Sequence, residues 1–211
     1  MSIIQLHFLA PEDKTKWTLL WHKCYKSWNK TPYKINTWGD SDINNLIFED
    51  DPDFYEILNN LPKIYKIEYV RFIILQKYGG AYIDMDIELI HDFLSVLDFN
   101  KIYLMEGTLG CYVENSLMIG INQKTHQEFW ERVKLFCKQK VLNNLDKCTT
   151  PYYIMNTVGP QALSEYMYKY ITPKHKNTYE ILAYEHFASL TNEISFCKHY
   201  QTNTWDIKSK I

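Results

Sequence analysis

Three acidic side chains alternate along one short, otherwise apolar stretch of the chain. Residues 81–90 read AYIDMDIELI, which is the period-two pattern of a β-strand. On such a strand Asp84, Asp86 and Glu88 project from one side, while the apolar residues between them point to the core. Three carboxylates at this spacing repel one another, and a bound divalent cation would relieve that repulsion. Because the ligands are all oxygens, the pattern favours Mn²⁺ or Mg²⁺, with a diphosphate able to supply further ligands.

The Asp-x-Asp pattern is weak evidence when taken alone, because it arises by chance about once in a couple of chains of this length. A solvated edge strand that carries three acids is one alternative. An EF-hand loop is excluded, because counted from Asp84 it would need Gly at Leu89 and Glu at Ser95. A two-metal nuclease or polymerase site also uses paired aspartates. The formal net charge of -2 and the lack of basic tracts count against that class.

A helix predicted over residues 62–78 leads directly into this strand. Its apolar residues recur at helical spacing, Pro62 suits its first turn and Gly79–Gly80 ends it. Glu68 and Arg71 stand three residues apart, so they share one side of the helix and can interact. Arg71 is one of only two arginines among the 23 basic residues. Its planar guanidinium would suit bidentate contact with phosphate or carboxylate, and a solvent-exposed helix residue is the alternative.

The whole string from 66 to 90, KIEYVRFIILQKYGGAYIDMDIELI, resembles the sugar-binding DxD region of glycosyltransferase family 32. That family includes yeast α-1,6-mannosyltransferases and bacterial capsule enzymes and is related to the large clostridial toxin glucosyltransferases. Its pattern is an acidic residue, two spacers and Arg on a helix, then Tyr-Gly-Gly, an apolar or aromatic pair, and Asp-x-Asp. The positions that match it here are Glu68, Arg71, Tyr78, Gly79, Gly80, Tyr82, Asp84 and Asp86. One departure is Glu68, which stands where Asp is usual.

Shorter resemblances to the same family run along the rest of the chain. QLHF at 5–8 is similar to its first-strand motif, near which the nucleotide base lies, and this brings in His7 and Phe8. ENSLMIG at 114–120 is similar to its Asn-containing strand before a helix, and TVGP at 157–160 looks like its Thr-x-Gly-Pro turn. His199 with Trp205 resembles its C-terminal His…Trp tail.

The resemblance implies a metal-dependent glycosyltransferase that moves a sugar from a UDP- or GDP-linked donor to a glycan or glycoprotein acceptor, with retention of configuration. The expected metal ligands are Asp86, Asp84 and His199, and the cation is Mn²⁺ or Mg²⁺. Glu68 and Arg71 are expected to hold donor hydroxyls and to act in catalysis with Asp84 and Asp86. The residues expected to bind the nucleotide-diphosphate sugar are His7, Phe8, Gly79, Gly80, Tyr82 and Asp84.

The fold expected from this resemblance is α/β of the GT-A type, a Rossmann-like mixed sheet flanked by helices. It would form a single domain over 1–211, with a nucleotide-binding half at about 1–90 and an acceptor half at about 91–211. The local patterns predict strands at 2–9, 33–38, 81–90, 101–107, 116–121 and 194–199. They predict helices at 13–28, 62–78, 125–142 and 159–170, with a turn at 39–42 and a Thr125–Glu128 capping box.

The composition agrees with one soluble globular domain, since 46% of the residues are hydrophobic and 23% are charged. No signal peptide and no apolar run long enough for a membrane span is found, and the near-neutral charge gives no field that would attract nucleic acid. Five scattered cysteines without metal or redox spacing suggest reduced thiols. We therefore expect a soluble, cytoplasmic protein, similar to the compact bacterial or large-DNA-virus versions of the family. Two other functions stay open: an inactive carbohydrate-binding module on the same fold, and a metal-dependent phosphodiesterase or nucleotidyltransferase.

Overall fold

Two β-sheets organise the protein. The computed structural model describes residues 4–107, 112–150, 153–171, 178–187 and 195–202. The described strands are β1 (Gln5–Leu9), β2 (Lys34–Trp38), β3 (Gly80–Ile83), β4 (Ile87–Leu89), β5 (Ile102–Glu106), β6 (Val113–Gly120), β7 (Tyr179–Leu182) and β8 (Cys197–His199). Six of them form one sheet in the order β2-β1-β3-β6-β5-β7, and β4 pairs with β8 in a second sheet. In the large sheet β1 is parallel to β2 and β3, β5 is parallel to β7, and β6 is antiparallel to both β3 and β5. The mixed sheet predicted from the sequence is confirmed.

Helices cover both sides of the large sheet. The described helices are α1 (Leu19–Trp28), α2 (Asp40–Asp50), α3 (Pro52–Asn59), α4 (Ile64–Tyr78), α5 (Gln123–Leu142), α6 (Ile154–Thr157), α7 (Pro160–Tyr170) and α8 (Tyr184–Phe187), with short 3₁₀ turns at Lys14–Lys16 and Leu94–Val96. Residues of α2, α3, α4, α5 and α7 share one hydrophobic core with Tyr82 and Met118 of the sheet. Trp28 of α1 lies in the second core, together with Phe8 and Ile83. The alternation of side chains along β3 sends its residues into both cores. Among the described helices, none combines the length and the apolar character needed to cross a bilayer.

The helix α4 is buried over most of its surface. Every residue from 68 to 75 is buried, because α4 packs against α2 and α5 as well as against β1 and β3. A helix enclosed in this way is apolar on most sides, and Glu68 and Arg71 are therefore exceptions that need polar partners. The surface position considered for Arg71 is wrong, since only 6% of this residue is exposed.

The prediction of one continuous strand over residues 81–90 is wrong. β3 ends at Ile83, a turn follows, and β4 begins at Ile87. The chain leaves the large sheet at this turn because β4 takes β8 as its partner in place of β6. The strict alternation that placed three acids on one side therefore stops at the turn, and Glu88 lies in the second sheet.

Three other local predictions were wrong in detail. Residues 39–42, predicted as a turn, begin α2, where the Gly39 N–H donates to the Asp42 carboxylate at 3.0 Å. The helix predicted from 125 starts earlier, because Asn122 caps α5 and accepts the Thr125 N–H in place of the predicted capping box. The helix predicted over 13–28 is a 3₁₀ turn followed by α1, which Thr18 caps. Polar residues at helix starts are recognised readily, but which of several neighbouring candidates caps depends on where the preceding strand or turn ends.

Candidate active site

The two aspartates lie in the turn that follows the central strand β3. The Asp84 N–H donates to the Ser116 carbonyl of β6 at 2.8 Å, and the Ile87 N–H donates back to the Asp84 carbonyl at 3.1 Å. This turn lies at the carboxyl ends of the parallel strands β1, β2 and β3. Ligand sites of open α/β sheets are found at this end of the strands.

Asp84, Asp86 and His199 form a compact group of potential metal ligands. Each offers one ligand atom, and these atoms all lie within 4.8 Å of one another. His199 reaches the group because β8 pairs antiparallel with β4, with His199 opposite Ile87. Its Nε2 lies 3.4 Å from Asp86 Oδ1. The second sheet thus brings His199, which lies 113 positions beyond Asp86, to the two aspartates.

Asp86 is held in place by the chain that follows β8. The Thr202 N–H and hydroxyl each donate to Asp86 Oδ2 at 2.8 Å, and the Tyr200 N–H donates to the Asp86 carbonyl at 3.0 Å. Burial alone would raise the pKa of Asp86, but the contacts with His199 and Thr202 outweigh it and lower this pKa to about 2. Asp86 is therefore a carboxylate over the whole physiological range. Burial lowers the pKa of His199, but the contact with Asp86 outweighs this effect and raises it.

Asp84 lies in a different electrostatic environment. Its Oδ1 accepts the Tyr82 hydroxyl at 2.6 Å and lies 3.4 Å from Arg71 Nη2. Burial raises the pKa of Asp84, and Arg71 opposes this effect, whereas Asp86 reinforces it. The guanidinium of Arg71 also lies over the Tyr82 ring, 4.8 Å from its centre. A bound cation would favour the charged form of Asp84 in the way that Arg71 does.

A buried ionic network stands behind Asp84. Arg71 Nη2 contacts Glu68 Oε1 at 2.7 Å, and Arg71 Nη1 donates to the Asn115 carbonyl at 3.2 Å. The Asn115 amide donates in turn to Glu68 Oε2 at 2.5 Å. Burial raises the pKa of Glu68 to about 7, and Arg71 opposes this effect. The guanidinium thus joins the helix α4 to both β6 and the metal-ligand group.

A bulge in β6 places Asn115 in this network. Leu104 of β5 pairs with Met118, but the next residue, Met105, pairs with Glu114. One step along β5 therefore corresponds to four along β6, and residues 115–117 have no paired residue on β5. Bulges of this kind commonly re-aim side chains next to functional sites.

The structure does not bring every predicted site residue into the group. Glu88 accepts hydrogen bonds from Lys23 and Tyr200 instead. His7 is completely buried. Its Nε2 lies 2.9 Å from the Gly79 carbonyl oxygen, and its Nδ1 accepts the indole N–H of Trp38 at 3.2 Å. The other predicted nucleotide-binding residues of β1 and β3, Phe8 and Tyr82, are also buried, and Trp205 lies outside the described residues.

Gly79 and Gly80 serve the geometry of the turn between α4 and β3. Their φ angles are 64° and 87°, in the region that glycine adopts without a steric penalty. A Cβ on Gly80 would lie 2.2 Å from the Gln5 carbonyl oxygen of β1. The pair therefore lets β3 lie against β1 directly after a helix.

Thr202 was not predicted from the sequence. Nothing in its local sequence marks it, because it becomes significant only when the second sheet carries it to Asp86. Asn115 was noticed only within the ENSLMIG resemblance, and its partner Glu68 could not be read from the spacing. A surface cavity of about 550 Å³ lies away from this group, and its lining residues are Asp50, Gln76, Lys124, Gln127, Glu128, Glu131 and Lys134.

The donor set suits a divalent cation. Two carboxylates and one imidazole match the oxygen and nitrogen ligands that Mn²⁺ accepts, and Mg²⁺ uses the carboxylates. The Nδ1 atom of His199 is buried without a hydrogen-bond partner among the described residues. The imidazole thus has one nitrogen without a hydrogen bond, while its Nε2 faces Asp86. These residues therefore fit the cation that the sequence predicts.

Comparison with known proteins adds independent evidence. A family model described as the glycosyltransferase sugar-binding region containing a DXD motif matches residues 14–103. A solved glycosyltransferase involved in the glycosylation of the major capsid of PBCV-1 is similar in fold, with 11% identity over 95% of both chains and a TM-score of 0.50. The PaToxG glycosyltransferase is similar over 79% of this chain and 68% of that chain, with 14% identity and a TM-score of 0.55. No curated protein matches the chain. At these identities the structural likeness establishes the fold, and the DXD match covers both aspartates.

Proposed function

We propose that the chain transfers a sugar from a nucleotide-diphosphate sugar to a glycan or glycoprotein acceptor with the help of a divalent cation, which agrees with its GT-A type fold and with the glycosyltransferase model matched over residues 14–103. The observation that carries this proposal is the group formed by Asp84, Asp86 and His199, whose ligand atoms lie within 4.8 Å of one another. The donor is proposed to be UDP- or GDP-linked, the cation Mn²⁺ or Mg²⁺, and the reaction retaining.

Each residue of the group has a distinct proposed role. Asp86 and His199 hold the cation, and Asp84 contacts either the cation or the donor. When bound, the cation neutralises charge that develops on the departing diphosphate. Thr202 supports this arrangement by occupying Oδ2 of Asp86, which leaves Oδ1 as the carboxylate oxygen facing His199.

Arg71 and Glu68 are proposed to orient Asp84 and to hold donor hydroxyls. The Arg71 guanidinium already bridges Glu68 and Asp84, and its Nε lacks a hydrogen-bond partner within the described parts of the chain. This arrangement fixes the direction of the Asp84 carboxylate before any ligand binds, which is the preorganisation that favours catalysis.

The nucleotide is proposed to lie beside β1 and β3. Since His7, Phe8 and Tyr82 are buried, their contribution is to hold these strands in place, and the contact of His7 with Gly79 joins β1 to the start of β3. Gly79 and Gly80 allow the close approach of the two strands. The proposed compartment is cytosol-like, in keeping with the four described cysteines, which are all buried and free.

A matched pair of variants tests the metal assignment. In the wild type, Mn²⁺ and UDP or GDP together should raise the melting temperature by more than the sum of their separate effects, because each completes the site of the other. At a ligand concentration one hundred times the dissociation constant, binding should raise the free energy of unfolding by about 2.7 kcal/mol. Asp86→Asn should lose the rise in melting temperature that depends on Mn²⁺. Without metal, this variant should be less stable than the wild type by about 1–2 kcal/mol, because the Asp86 carboxylate accepts two hydrogen bonds from Thr202. Asp98→Asn, in the turn before β5, is the control and should keep the combined effect.

Calorimetry provides the decisive comparison. Equal Mn²⁺ affinity in the wild type and in Asp86→Asn would contradict the metal assignment. Turnover should then be followed with Mn²⁺ and a panel of UDP- and GDP-sugars, beside a plain phosphodiester. Binding without sugar release would indicate an inactive carbohydrate-binding module, and cleavage of the phosphodiester would indicate a phosphodiesterase.

A further inference from the structure

Glu88, the third acid of the 81–90 segment, makes its contacts away from the metal-ligand group. Its Oε2 accepts Lys23 Nζ at 2.8 Å and the Tyr200 hydroxyl at 2.6 Å. Lys23 Nζ also donates to the Tyr200 hydroxyl at 2.8 Å and lies 5.1 Å from the centre of the Tyr200 ring. Lys23 belongs to α1, Glu88 to β4, and Tyr200 directly follows β8. We call these three residues the Lys23–Glu88–Tyr200 clamp.

The clamp holds the strand that carries His199. β4 and β8 form only three residue pairs, and isolated two-stranded pairings are marginally stable in water. The Nδ1 of His199 has no hydrogen-bond partner among the described residues, so no hydrogen bond orients the ring from that side. The position of the imidazole therefore depends on the backbone of β8, whose end is tied to β4 and α1 through Tyr200.

We propose that Glu88 is a positioning residue, which with Lys23 and Tyr200 fixes β8 so that His199 meets Asp86. This inference rests on the proposed function, because it assigns the clamp a role in the affinity of the same cation site. Glu88 itself does not bind the cation. Loss of the clamp should loosen β8 and lower the cation affinity while the six-stranded sheet stays folded.

The direction in which cation affinity changes when Lys23 is removed distinguishes positioning from simple charge attraction. Glu88 is an anion near the site, so its removal would weaken cation binding by Coulomb's law alone. Lys23 is a cation, so its removal would strengthen cation binding if only charge mattered. Positioning predicts the opposite result for Lys23, because the clamp is broken in both variants. Tyr200→Phe removes the hydroxyl without any change of charge and should weaken binding as well.

The first experiment measures Mn²⁺ affinity by titration of Mn²⁺ alone, with electron paramagnetic resonance of the free ion. Glu88→Gln, Lys23→Met and Tyr200→Phe should each weaken the affinity by about tenfold, the lower end of what outer partners of metal ligands contribute. The control is Glu180→Gln, which breaks an ion pair of similar length, 3.0 Å, between β7 and Lys101, the residue before β5. It should leave the affinity unchanged. Tighter binding by Lys23→Met, or unchanged binding by Tyr200→Phe, would overturn the proposal.

The second experiment places Glu88→Gln in a His199→Ala background. If Glu88 acts through His199, its effect on Mn²⁺ affinity should fall below about twofold in that background. A full effect there would overturn the proposal. If His199→Ala alone leaves the affinity unchanged, the proposed metal site fails, which is a different result from failure of the clamp.

A metal-free measurement provides an independent check. Hydrogen exchange of the Tyr200 amide, which donates to the Asp86 carbonyl, should be faster in Tyr200→Phe than in the wild type, whereas amides of β3 and β6 should exchange equally in both. Equal exchange at Tyr200 would show that the clamp does not hold β8.

Discussion

At the scale of single residues, the guanidinium of Arg71 makes the clearest link between stability and chemistry. It is buried among apolar neighbours of α4 and contacts Glu68, Asp84 and the Asn115 carbonyl. A charge in such a position is retained only with partners on several sides. Lysine has a single nitrogen at its tip and cannot reproduce a planar fork that reaches three acceptors.

We predict that Arg71→Lys lowers turnover by about tenfold or more, equivalent to about 1.4 kcal/mol of transition-state stabilisation. Stability should also fall, by about 1–3 kcal/mol, because the Asn115 carbonyl or one carboxylate loses its donor. Turnover with a sugar nucleotide and urea unfolding measure the two effects. Arg132→Lys is the control, since Arg132 lies exposed on α5 with Glu128 as its partner. Equal turnover in the two variants would remove Arg71 from the catalytic machinery.

At the scale of secondary-structure elements, the connection from α4 to β3 decides where the aspartates lie. α4 ends at Tyr78 and β3 begins at Gly80, so a single residue reverses the direction of the chain. The positive φ angles of Gly79 and Gly80 make this possible. Any displacement of β3 here would move the turn that contains Asp84 and Asp86.

Gly80→Ala should destabilise the protein by about 2 kcal/mol or more, because a Cβ would lie 2.2 Å from a backbone oxygen of β1 at a φ of 87°. Gly39→Ala is the matched control, and its cost should stay below about 1 kcal/mol. The three atoms nearest to its Cβ belong to the flexible side chain of Glu12, which can move aside. Free energies of unfolding in urea compare the two, and an equal cost would contradict this account of the connection.

At the scale of the whole molecule, buried neutral groups make stability depend on pH. Burial lowers the pKa of His7 to about 4, and the geometry agrees, because Nδ1 accepts the Trp38 N–H and can do so only in the neutral ring. The unfolded chain, with an ordinary histidine pKa of 6.5, binds a proton below this value that the folded protein refuses. His7 therefore lowers the stability as the pH falls from 6.5 to 4, by about 3 kcal/mol in total.

We predict that His7→Gln has a shallower loss of stability than the wild type between pH 7 and pH 4, although it is less stable at pH 7. Urea unfolding at several pH values measures this difference. His91→Gln, at an exposed position, should follow the wild-type curve. An NMR titration of the His7 ring in the wild type gives the same information without a variant, and a pKa near 6.5 would contradict the prediction.

Local spacing by itself determined a large part of this protein. The apolar period of α4, the Gly–Gly stop and the Asp-x-Asp that follows are contiguous, so the order of helix, glycine turn, strand and aspartate pair could be read directly. The family pattern in residues 66–90 added the identity of the region, which the DXD match confirmed. The alternation of strands and helices predicted the α/β class, and the mixed sheet flanked by helices was expected from the family resemblance.

The family resemblance singled out Asp84 and Asp86 among the three acids, and the tertiary structure gives the physical reason why Glu88 is separated from them. The period of two treats Asp84, Asp86 and Glu88 alike, but β3 and β4 belong to different sheets. Asp84 faces the buried Arg71, Asp86 meets His199 and Thr202, and Glu88 pairs with Lys23. These partners come from α4, from β8 and its continuation, and from α1. A carboxylate's pKa and ligands depend on such neighbours, and sequence spacing carries no information about residues more than 100 positions away.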